Sequence, residues 1–294
     1  MSEIPVDTAL VRRLLSRQFP RWSHLPIELV AAGTINAMFR LGTDMVVRLP
    51  FVSWGAEGIE RERRWLPVLS PHLDIAVPTV LAAGEPDHEY PSPWSVLSWL
   101  PGVNPDPSAV ANPDAIARSL ATFQLQLQAV DTDGAPPAYR GGDLLELDAS
   151  VTESLAQIGD LVDVAALAAL WRSALAAPAW GRPLVWLHAD LLTGNVLVDG
   201  DGDGLAAVLD FAAVGLGDPA ADLMAAWSIL PAGSRDLFRS ELGVDDATWV
   251  RGQGWALSQA AIALSYYRAT NPHMATTSLH ILRQLTEVPL SFAT

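Results

Sequence analysis

Residues 186–222 read WLHADLLTGNVLVDGDGDGLAAVLDFAAVGLGDPAAD. Three polar side chains interrupt this apolar stretch where folding alone would not place them. Asp190 and Asn195 share one short turn, and Asp210 ends an apolar run. We interpret them as a proton acceptor and two metal ligands of a phosphoryl-transfer site, because that chemistry depends mainly on positioned oxygen groups and neutralised charge.

The spacing around these residues predicts a β-hairpin. The runs at 196–198 and 205–209 are strand-like, and DGDGDG forms a turn between them. A hairpin of this length brings its ends together, so Asn195 and Asp210 can converge on one Mg²⁺ ion. Magnesium prefers a few protein oxygens, with phosphate oxygens and water completing its shell. Asp190 then accepts the proton of the substrate hydroxyl.

Other interpretations of this stretch stay open. A single Asp or Asn in a turn is commonly a cap or a solvated turn former. The DGDGDG segment, with Asp210 eleven residues after Asp199, also approaches the DxDxDG calcium loop. Its flanks are strand-like where that loop needs helices, and aspartate replaces the bidentate glutamate. A polar hairpin turn is therefore the favoured interpretation.

Two acidic residues after the hairpin are expected to support the turn. Asp218, followed by proline, caps the start of a helix. Asp222, one turn later, is expected to hold the His188 loop by hydrogen bonds. We interpret His188 itself as a buried structural residue rather than a base, because Asp190 is the better-placed acceptor.

The amino-terminal part predicts a helix followed by an antiparallel meander. The helix is expected at 5–18, and strand-like runs occupy 27–31, 37–41 and 45–49.

The turn between the first two strands is a candidate phosphate loop. It contains Gly33, Thr34 and Asn36, and its backbone N–H groups could cover the phosphates of a nucleotide. With one glycine and no GxGxxG pattern, a plain hairpin turn is the alternative.

Arg48 is a single positive charge in the apolar third strand, and such a charge needs a partner. The helix expected at 56–69 offers Glu57, Glu60 and Glu62. A strand cation paired with a helix carboxylate is how kinases hold the α and β phosphates of the nucleotide. The alternative is that Arg48 points to solvent from an edge strand.

The chain then changes character near residue 101. Two more strands are expected at 79–83 and 94–100, and the segment PGVNP at 101–105 breaks the chain. We predict an α+β, two-lobed fold. Residues 1–100 form a small antiparallel-sheet lobe with a hinge near 98–102, and residues 101–294 form a mostly helical lobe. In the helical lobe, segments expected as helices are 112–130, 143–158, 161–176, 219–230, 234–242, 246–269 and 273–287.

Composition restricts the class of protein. Half of the 294 residues are hydrophobic, and no apolar run reaches the roughly 20 residues of a membrane helix. The amino terminus lacks the features of a signal peptide, so a cytoplasmic enzyme is expected. There are no cysteines, which excludes disulfides and thiolate chemistry.

The charge of the chain bears on its partners. All 18 basic residues are arginine, and the net charge is -15. Such a surface repels nucleic acid and attracts small cations, although the acidity could also serve solubility alone.

The motifs of this sequence resemble those of a known protein family. The run HADLLTGNVLVDGDGDGLAAVLDFAAVGLGDPAADL is similar to the aminoglycoside phosphotransferases, antibiotic kinases whose fold is like that of protein kinases. The VVRLP strand, a Glu-containing helix ending in WLP, the WSVLSWLPG linker and the GDPAADLMAAW helix follow in the order of the family. The resemblance therefore covers nearly the whole chain.

The resemblance implies roles for individual residues. Asp190 would be the catalytic base, and Asn195 and Asp210 would bind magnesium. Arg48 stands where the family often has a phosphate-binding lysine, with Glu62 as its partner and Glu60 as second choice. The backbone of Ser98, Trp99 and Leu100 would meet the nucleotide base.

The chain departs from the family pattern at three places. The family commonly shows HGD and a His-Pro in the loop, where this chain has Ala189 and Leu192-Thr193. Arginine for lysine at position 48 keeps the charge but adds a planar fork. The presence of Asn195 favours the aminoglycoside branch over the macrolide branch, which would have histidine there.

The expected activity is transfer of the γ-phosphate of ATP or GTP, with Mg²⁺, to a hydroxyl of an aminoglycoside-like cationic antibiotic. Kinases for a macrolide, an amino sugar or a choline-like metabolite are the alternative within enzymes. A nucleotide-binding protein without turnover is the alternative outside them. The expected partners are a nucleoside triphosphate and a small cationic acceptor, with neither nucleic acid nor membrane.

Overall fold

The computed structural model describes residues 5–33, 35–107, 109–199 and 204–286. The chain forms two compact units. The first comprises residues 1–101 and 207–213, and the second comprises 102–206 and 214–294. A five-stranded antiparallel sheet in the first unit and a mostly helical second unit confirm the expected α+β class.

The first unit contains the sheet. Its strands are β1 (Ile27–Ala32), β2 (Asn36–Leu41), β3 (Met45–Pro50), β4 (Val80–Gly84) and β5 (Trp94–Ser98). They are arranged in the order β1-β2-β3-β5-β4, and each neighbouring pair is antiparallel. The expected meander of β1, β2 and β3 is therefore confirmed, and β3 lies at the centre of the sheet.

Two helices belong to this unit, α1 (Thr8–Gln18) and α2 (Ala56–Leu69). Helix α1 begins at Asp7, whose carboxylate accepts a hydrogen bond of 2.7 Å from the Leu10 backbone N–H. Such a cap satisfies a donor that the first helical turn leaves unpaired. The apolar face of α1 and the inward residues of the sheet form one core, made of Leu10, Val11, Leu14, Leu15, Phe39, Leu41, Val47, Leu49, Tyr90, Trp94 and Val96.

The second unit is built mainly of helices, as expected. They are α3 (Pro113–Gln128), α4 (Asp148–Gln157), α5 (Val164–Ala176), α6 (Ala225–Ser228), α7 (Arg235–Leu242), α8 (Asp246–Tyr267) and α9 (Pro272–Thr286). Helix α3 starts where the sequence predicts, because Asn112 accepts a hydrogen bond of 3.1 Å from the Ala115 N–H and Pro113 follows the cap.

Four short strands lie between residues 185 and 217, in the central stretch of the sequence. They are β6 (Val185–Leu187), β7 (Val196–Val198), β8 (Leu205–Val208) and β9 (Gly215–Gly217). Strands β7 and β8 form the expected hairpin, and β6 pairs with β9 in an antiparallel sheet. The calcium-loop alternative depends on the DGDGDG turn between β7 and β8. Residues 200–203 of this turn lie outside the described residues.

Three details differ from the sequence predictions. A helix was expected at 143–158, but Leu144–Leu147 is a 3₁₀ helix and α4 begins at Asp148. Strand β9 was not expected, because Gly-Leu-Gly carries no strand pattern. The segment Pro219–Met224 is a 3₁₀ helix and only Ala225–Ser228 is α-helical, although one continuous helix was predicted. In the described ranges, no helix is both long enough and apolar enough to cross a membrane.

Candidate active site

In the first unit, Arg48 of β3 is the centre of a buried charge cluster. Its Nη1 donates to Glu62 Oε1 and Oε2, at 2.9 and 3.0 Å. Its Nη2 donates to Asp210 Oδ1 at 2.7 Å. The predicted pairing with a carboxylate of α2 is present, and the partner is Glu62 rather than Glu60, which instead accepts from Arg63.

Asn36 completes the set of Arg48 partners. With the amide oriented so that both groups are satisfied, its oxygen accepts from Arg48 Nη2 at 2.8 Å and from Nε at 3.0 Å. A guanidinium has five N–H donors. Glu62, Asp210 and Asn36 together accept from all three of its nitrogens, so the arginine is held in one orientation. A lysine at this position could not satisfy the same partners, because its three donors leave from one point.

Burial decides the electrostatics of this cluster. The Arg48 and Glu62 side chains are 4% and 1% exposed, whereas that of Asp210 is 36% exposed. Burial alone would lower the pKa of Arg48, but the charges of Asp210 and Glu62 outweigh it and raise the pKa. Burial raises the pKa of Glu62 above its ordinary value, against the opposing charge of Arg48. The arginine is therefore always charged, and the alternative that it points to solvent is wrong.

Asp210 follows β8 in a left-handed backbone conformation, with φ of 62°. The next residue fixes this turn, because the Phe211 N–H donates to Glu62 Oε1 at 3.1 Å. Ala212 lies against Gly58 of α2, where a Cβ on residue 58 would be 2.9 Å from the Ala212 Cβ. The glycine therefore allows the short segment 207–213 to pack closely on α2 and to present Asp210 to Arg48.

The other predicted nucleotide residues also lie in the first unit. The Gly33 N–H donates to the Asn36 carbonyl at 2.9 Å, which closes the turn between β1 and β2. Thr34 lies outside the described residues. At the end of β5, the Ser98 and Trp99 N–H groups donate to the Thr79 and Asp44 carbonyls.

Trp99 and Leu100 continue the chain beyond β5. The Arg40 guanidinium stacks on the Trp99 ring at 3.9 Å from its centroid. Trp99 and Leu100 are both half-buried.

In the second unit, Asp222 fixes the turn that carries Asp190. It accepts from the His188 N–H at 2.8 Å and from the Ala189 N–H at 2.7 Å. Burial raises the pKa of Asp222, while the two N–H donors and His188 oppose the shift. The expected support of the His188 loop by Asp222 is confirmed, and His188 is fully buried, as predicted.

Ala189 stands where the family pattern has glycine, and its φ of 65° is the conformation that glycine adopts freely. Its side chain is fully buried. This backbone conformation forms part of the turn between the end of β6 and Asp190. A non-glycine residue in this conformation costs about 1–2 kcal/mol, which the hydrogen bonds from the His188 and Ala189 N–H groups to Asp222 offset.

The Asp190 carboxylate is held on both oxygens. Arg140 Nη1 donates to Oδ1 at 2.8 Å, and Asn195 Nδ2 donates to Oδ2 at 2.8 Å. Asn195 Nδ2 also donates to the Asp190 backbone carbonyl at 2.8 Å. The Asp190 side chain is 25% exposed, so it is oriented by neighbours and still reaches solvent.

Two polar residues of this unit were missed by the sequence reasoning. Arg140 lies in a segment predicted only as loop. Asn104, which follows Val103 and precedes Pro105, donates from Nδ2 to the carbonyls of Thr193, Gly194 and Val196 at 2.9–3.1 Å. Neither shows a pattern in sequence, since each acts on residues 49 or more positions away.

The two residues after Asp190 that depart from the family pattern, Leu192 and Thr193, are buried. Leu192 and Thr193 are 8% and 9% exposed, and the Thr193 N–H donates to Ser228 Oγ at 3.1 Å. Their side chains therefore pack in the protein interior.

The predicted metal ligands have the chemistry that magnesium requires. Asp210 offers a partly exposed carboxylate. Asn195 turns its amide nitrogen to Asp190, which directs the amide oxygen to the other side. Carboxylate and amide oxygens suit Mg²⁺. Within the described ranges, no group of three or more His, Asp or Glu side chains could hold a metal by itself.

Comparison with known proteins identifies the family. The sequence profile of the phosphotransferase enzyme family (APH) matches residues 26–256. No curated protein sequence matches this chain. Solved structures that cover nearly the whole chain do match.

Three of these structures are two aminoglycoside phosphotransferases and one macrolide phosphotransferase. The GDP and kanamycin complex of APH(2'')-IIIa is 20% identical, with a TM-score of 0.77 over 95% of this chain and 98% of that chain. The streptomycin–ATP–APH(2'')-IIa ternary complex is 14% identical, with a TM-score of 0.62 over 96% and 97%. Macrolide 2'-phosphotransferase MphH from Brachybacterium faecium is 23% identical, with a TM-score of 0.59 over 97% and 99%.

At these identities the structures establish the fold, and the profile match over most of the chain establishes the family. The resemblance and the fold expected from the sequence are both confirmed. This chain belongs to the phosphotransferase enzyme family and is a small-molecule kinase with a protein-kinase-like fold.

Proposed function

We propose that this kinase transfers the γ-phosphate of ATP or GTP to a hydroxyl of an aminoglycoside-like antibiotic, with Asp190 as the catalytic base. The observation that carries the proposal is the Asp190 carboxylate, which is held on both oxygens yet partly exposed. A base that only accepts a proton from an incoming hydroxyl needs such positioning more than a shifted pKa.

The first unit would bind the nucleotide. Arg48 would contact the phosphates, with Glu62 holding its guanidinium. The turn with Gly33, Thr34 and Asn36 would cover the phosphates through its backbone. Asn36 has a second role, since its side chain orients Arg48.

The base of the nucleotide would meet the backbone of Ser98, Trp99 and Leu100. The Ser98 and Trp99 N–H groups already donate within the unit. We therefore place the hydrogen bonds to the base on Leu100 and on the carbonyl groups of the segment.

Asn195 and Asp210 would hold Mg²⁺. When bound, the ion neutralises charge on the transferring phosphate. In the present arrangement Arg48 takes one oxygen of Asp210, so that carboxylate would be shared between the arginine and the metal.

The proposed acceptor is cationic because the chain has a net charge of -15. Four acidic residues of the helical unit were candidates to contact it. Asp143 caps a 3₁₀ turn by accepting from the Leu145 N–H, and Asp148 accepts from Trp171 Nε1. The remaining two, Glu146 and Glu153, are exposed, but Glu153 accepts from Gln157 Nε2 at 3.2 Å, so Glu146 is the better candidate.

A macrolide, amino-sugar or choline-like acceptor is the second proposal. The likeness to a macrolide 2'-phosphotransferase motivates the first of these. Nucleotide binding without turnover is the third. We place the protein in the cytoplasm, where nucleoside triphosphates are available, with no nucleic-acid or membrane partner.

A mass-shift screen tests these proposals. The protein is incubated with ATP or GTP, Mg²⁺ and a panel containing kanamycin, streptomycin, a macrolide, an amino sugar and choline. A gain of one phosphate on an aminoglycoside supports the first proposal, and phosphorylation of only another compound replaces it with the second. Nucleotide binding with no product favours the third.

Asp190→Asn tests the mechanism. We expect it to lower kcat by about 100-fold or more, with the Kd of the nucleotide nearly unchanged. Asp236→Asn, on an exposed position of α7, is the matched control. Full activity of Asp190→Asn would refute the assignment of the base.

A further inference from the structure

We propose that Arg140 is a positioning residue of this kinase, which fixes the Asp190 carboxylate in the orientation that accepts the proton. This inference rests on the proposed function of Asp190. It concerns a residue that no sequence pattern indicated and that lies 50 positions before the base.

The contact is made by one nitrogen with two acceptors. Arg140 Nη1 donates to Asp190 Oδ1 and to the Ala189 carbonyl, each at 2.8 Å. Successive residues of the loop are therefore tied to the same group. The first bond fixes the side chain of Asp190, and the second fixes the peptide that precedes it.

Asn195 completes the arrangement from the other side. Its Nδ2 donates to Asp190 Oδ2 and to the Asp190 carbonyl. With one donor on each oxygen, rotation of the carboxylate breaks at least one hydrogen bond. Each oxygen keeps a further lone pair, so the group can still accept a proton from a hydroxyl.

The backbone around Arg140 is anchored on the strand that supports the catalytic turn. The Leu216 N–H donates to the Pro136 carbonyl at 2.8 Å, and the Ala138 N–H donates to the Leu216 carbonyl at 2.9 Å. The Asp218 N–H donates to the Gly141 carbonyl at 2.9 Å. Segment 136–141 thus lies along β9, which pairs with β6, the strand that leads into His188.

Glycines make this close approach feasible. A Cβ on residue 215 would lie 2.5 Å from the Ala138 nitrogen. Gly141 has a φ of 110°, and a Cβ there would lie 2.6 Å from Leu187 Cδ1. Arg140 therefore extends from a backbone that is fixed on both sides, so only the rotamers of its side chain remain to be ordered when the guanidinium is held in place.

A purely structural role explains the contact less well. The Arg140 and Asp190 side chains are 19% and 25% exposed, and an ion pair that reaches solvent contributes little to stability. Removing the arginine should therefore leave the fold intact and release the carboxylate. A small displacement of a catalytic group has a large effect on rate.

The kinetic test compares Arg140→Ala and Arg140→Lys with the wild type, using an acceptor found in the screen. For Arg140→Ala we expect kcat to fall about 30- to 100-fold, with the KM of the nucleotide within about two-fold and the Tm nearly unchanged. Arg140→Lys should retain part of the activity, and guanidinium ions added to Arg140→Ala should restore part of it. Arg182→Ala is the matched control, because the Arg182 guanidinium lies over the Trp180 ring, 5.2 Å from its centroid.

A double variant distinguishes positioning from a general effect. Because Arg140 acts through Asp190, Arg140→Ala should cause no further loss when combined with Asp190→Asn. An equal loss in both backgrounds, or wild-type kcat in Arg140→Ala, would overturn the proposal.

A second measurement needs no acceptor. Hydrogen exchange of the peptide 188–196 should be faster in Arg140→Ala than in the wild type, because the Ala189 carbonyl and the Asp190 side chain lose their tether. Unchanged exchange would overturn the proposal. If the wild type phosphorylates no compound, the proposed function fails, whereas the exchange result still decides the role of Arg140.

Discussion

Replacing Arg48 with methionine tests how strongly the buried ion pair stabilises the first unit. Methionine keeps the apolar stem but removes the charge and all five donors. Glu62, whose side chain is 1% exposed, then keeps the Phe211 N–H at 3.1 Å and loses both bonds from Arg48.

The expected cost follows from that burial. Removing one partner of a buried pair costs about 3–5 kcal/mol, because the other charge is left without compensation. The loss of the Asp210 contact adds little, because its side chain is 36% exposed and solvent screens it. Arg48→Met should therefore lower the free energy of unfolding by about 3–5 kcal/mol.

The assay is urea unfolding at neutral pH, followed by tryptophan fluorescence. Arg63→Met is the matched control, since its partners Glu60 and Glu85 are 56% and 67% exposed. It should cost at most about 1 kcal/mol.

A second variant isolates the pair itself. Combining Arg48→Met with Glu62→Gln removes both charges, while the glutamine can still accept from the Phe211 N–H. The combination should cost less than the sum of the two single variants by about 2 kcal/mol. If Arg48→Met is no more destabilising than Arg63→Met, or if the two changes add, the reasoning about the buried pair is refuted.

Two further predictions concern the turn that carries Asp190. Ala189→Gly should change the free energy of unfolding by less than about 1 kcal/mol, since relief of the φ of 65° offsets the greater freedom of glycine. In contrast, Ala189→Val should cost more than about 2 kcal/mol, as a branched side chain is strained there; equal urea midpoints for the two variants would contradict this. Burial raises the pKa of Asp222 above its usual 3.8, so the folded protein holds that proton more tightly than the unfolded chain does. The resulting stability is complete below the usual pKa and is lost as the pH rises through the raised value. Asp222→Asn should therefore flatten the decline in stability over this window in urea titrations at successive pH values, and an unchanged slope would count against the shift.

Several features of the candidate site could be inferred from sequence because they depend on neighbouring residues. The turn at Asp190, the hairpin of 196–198 and 205–208 and the strand with Arg48 each follow from alternation and turn residues within about ten positions. The absence of a strand pattern in Gly-Leu-Gly explains why β9 was missed. The pairing of β9 with β6 depends on a close approach of the two backbones. Glycine permits this approach, but its presence in the sequence does not predict a strand.

The sequence by itself determined the fold class and which polar residues stand out from the apolar background. Only the tertiary structure decided their partners. It placed Glu62, the partner that the family resemblance implied, on Arg48, joined Arg48 to Asp210 across 162 positions, and brought Arg140 to Asp190. The physical reason is that helices and strands follow from short-range periodicity, whereas an ion pair between distant segments forms only when packing brings both side chains to one place. No local pattern in the sequence specifies which distant side chains form such an ion pair.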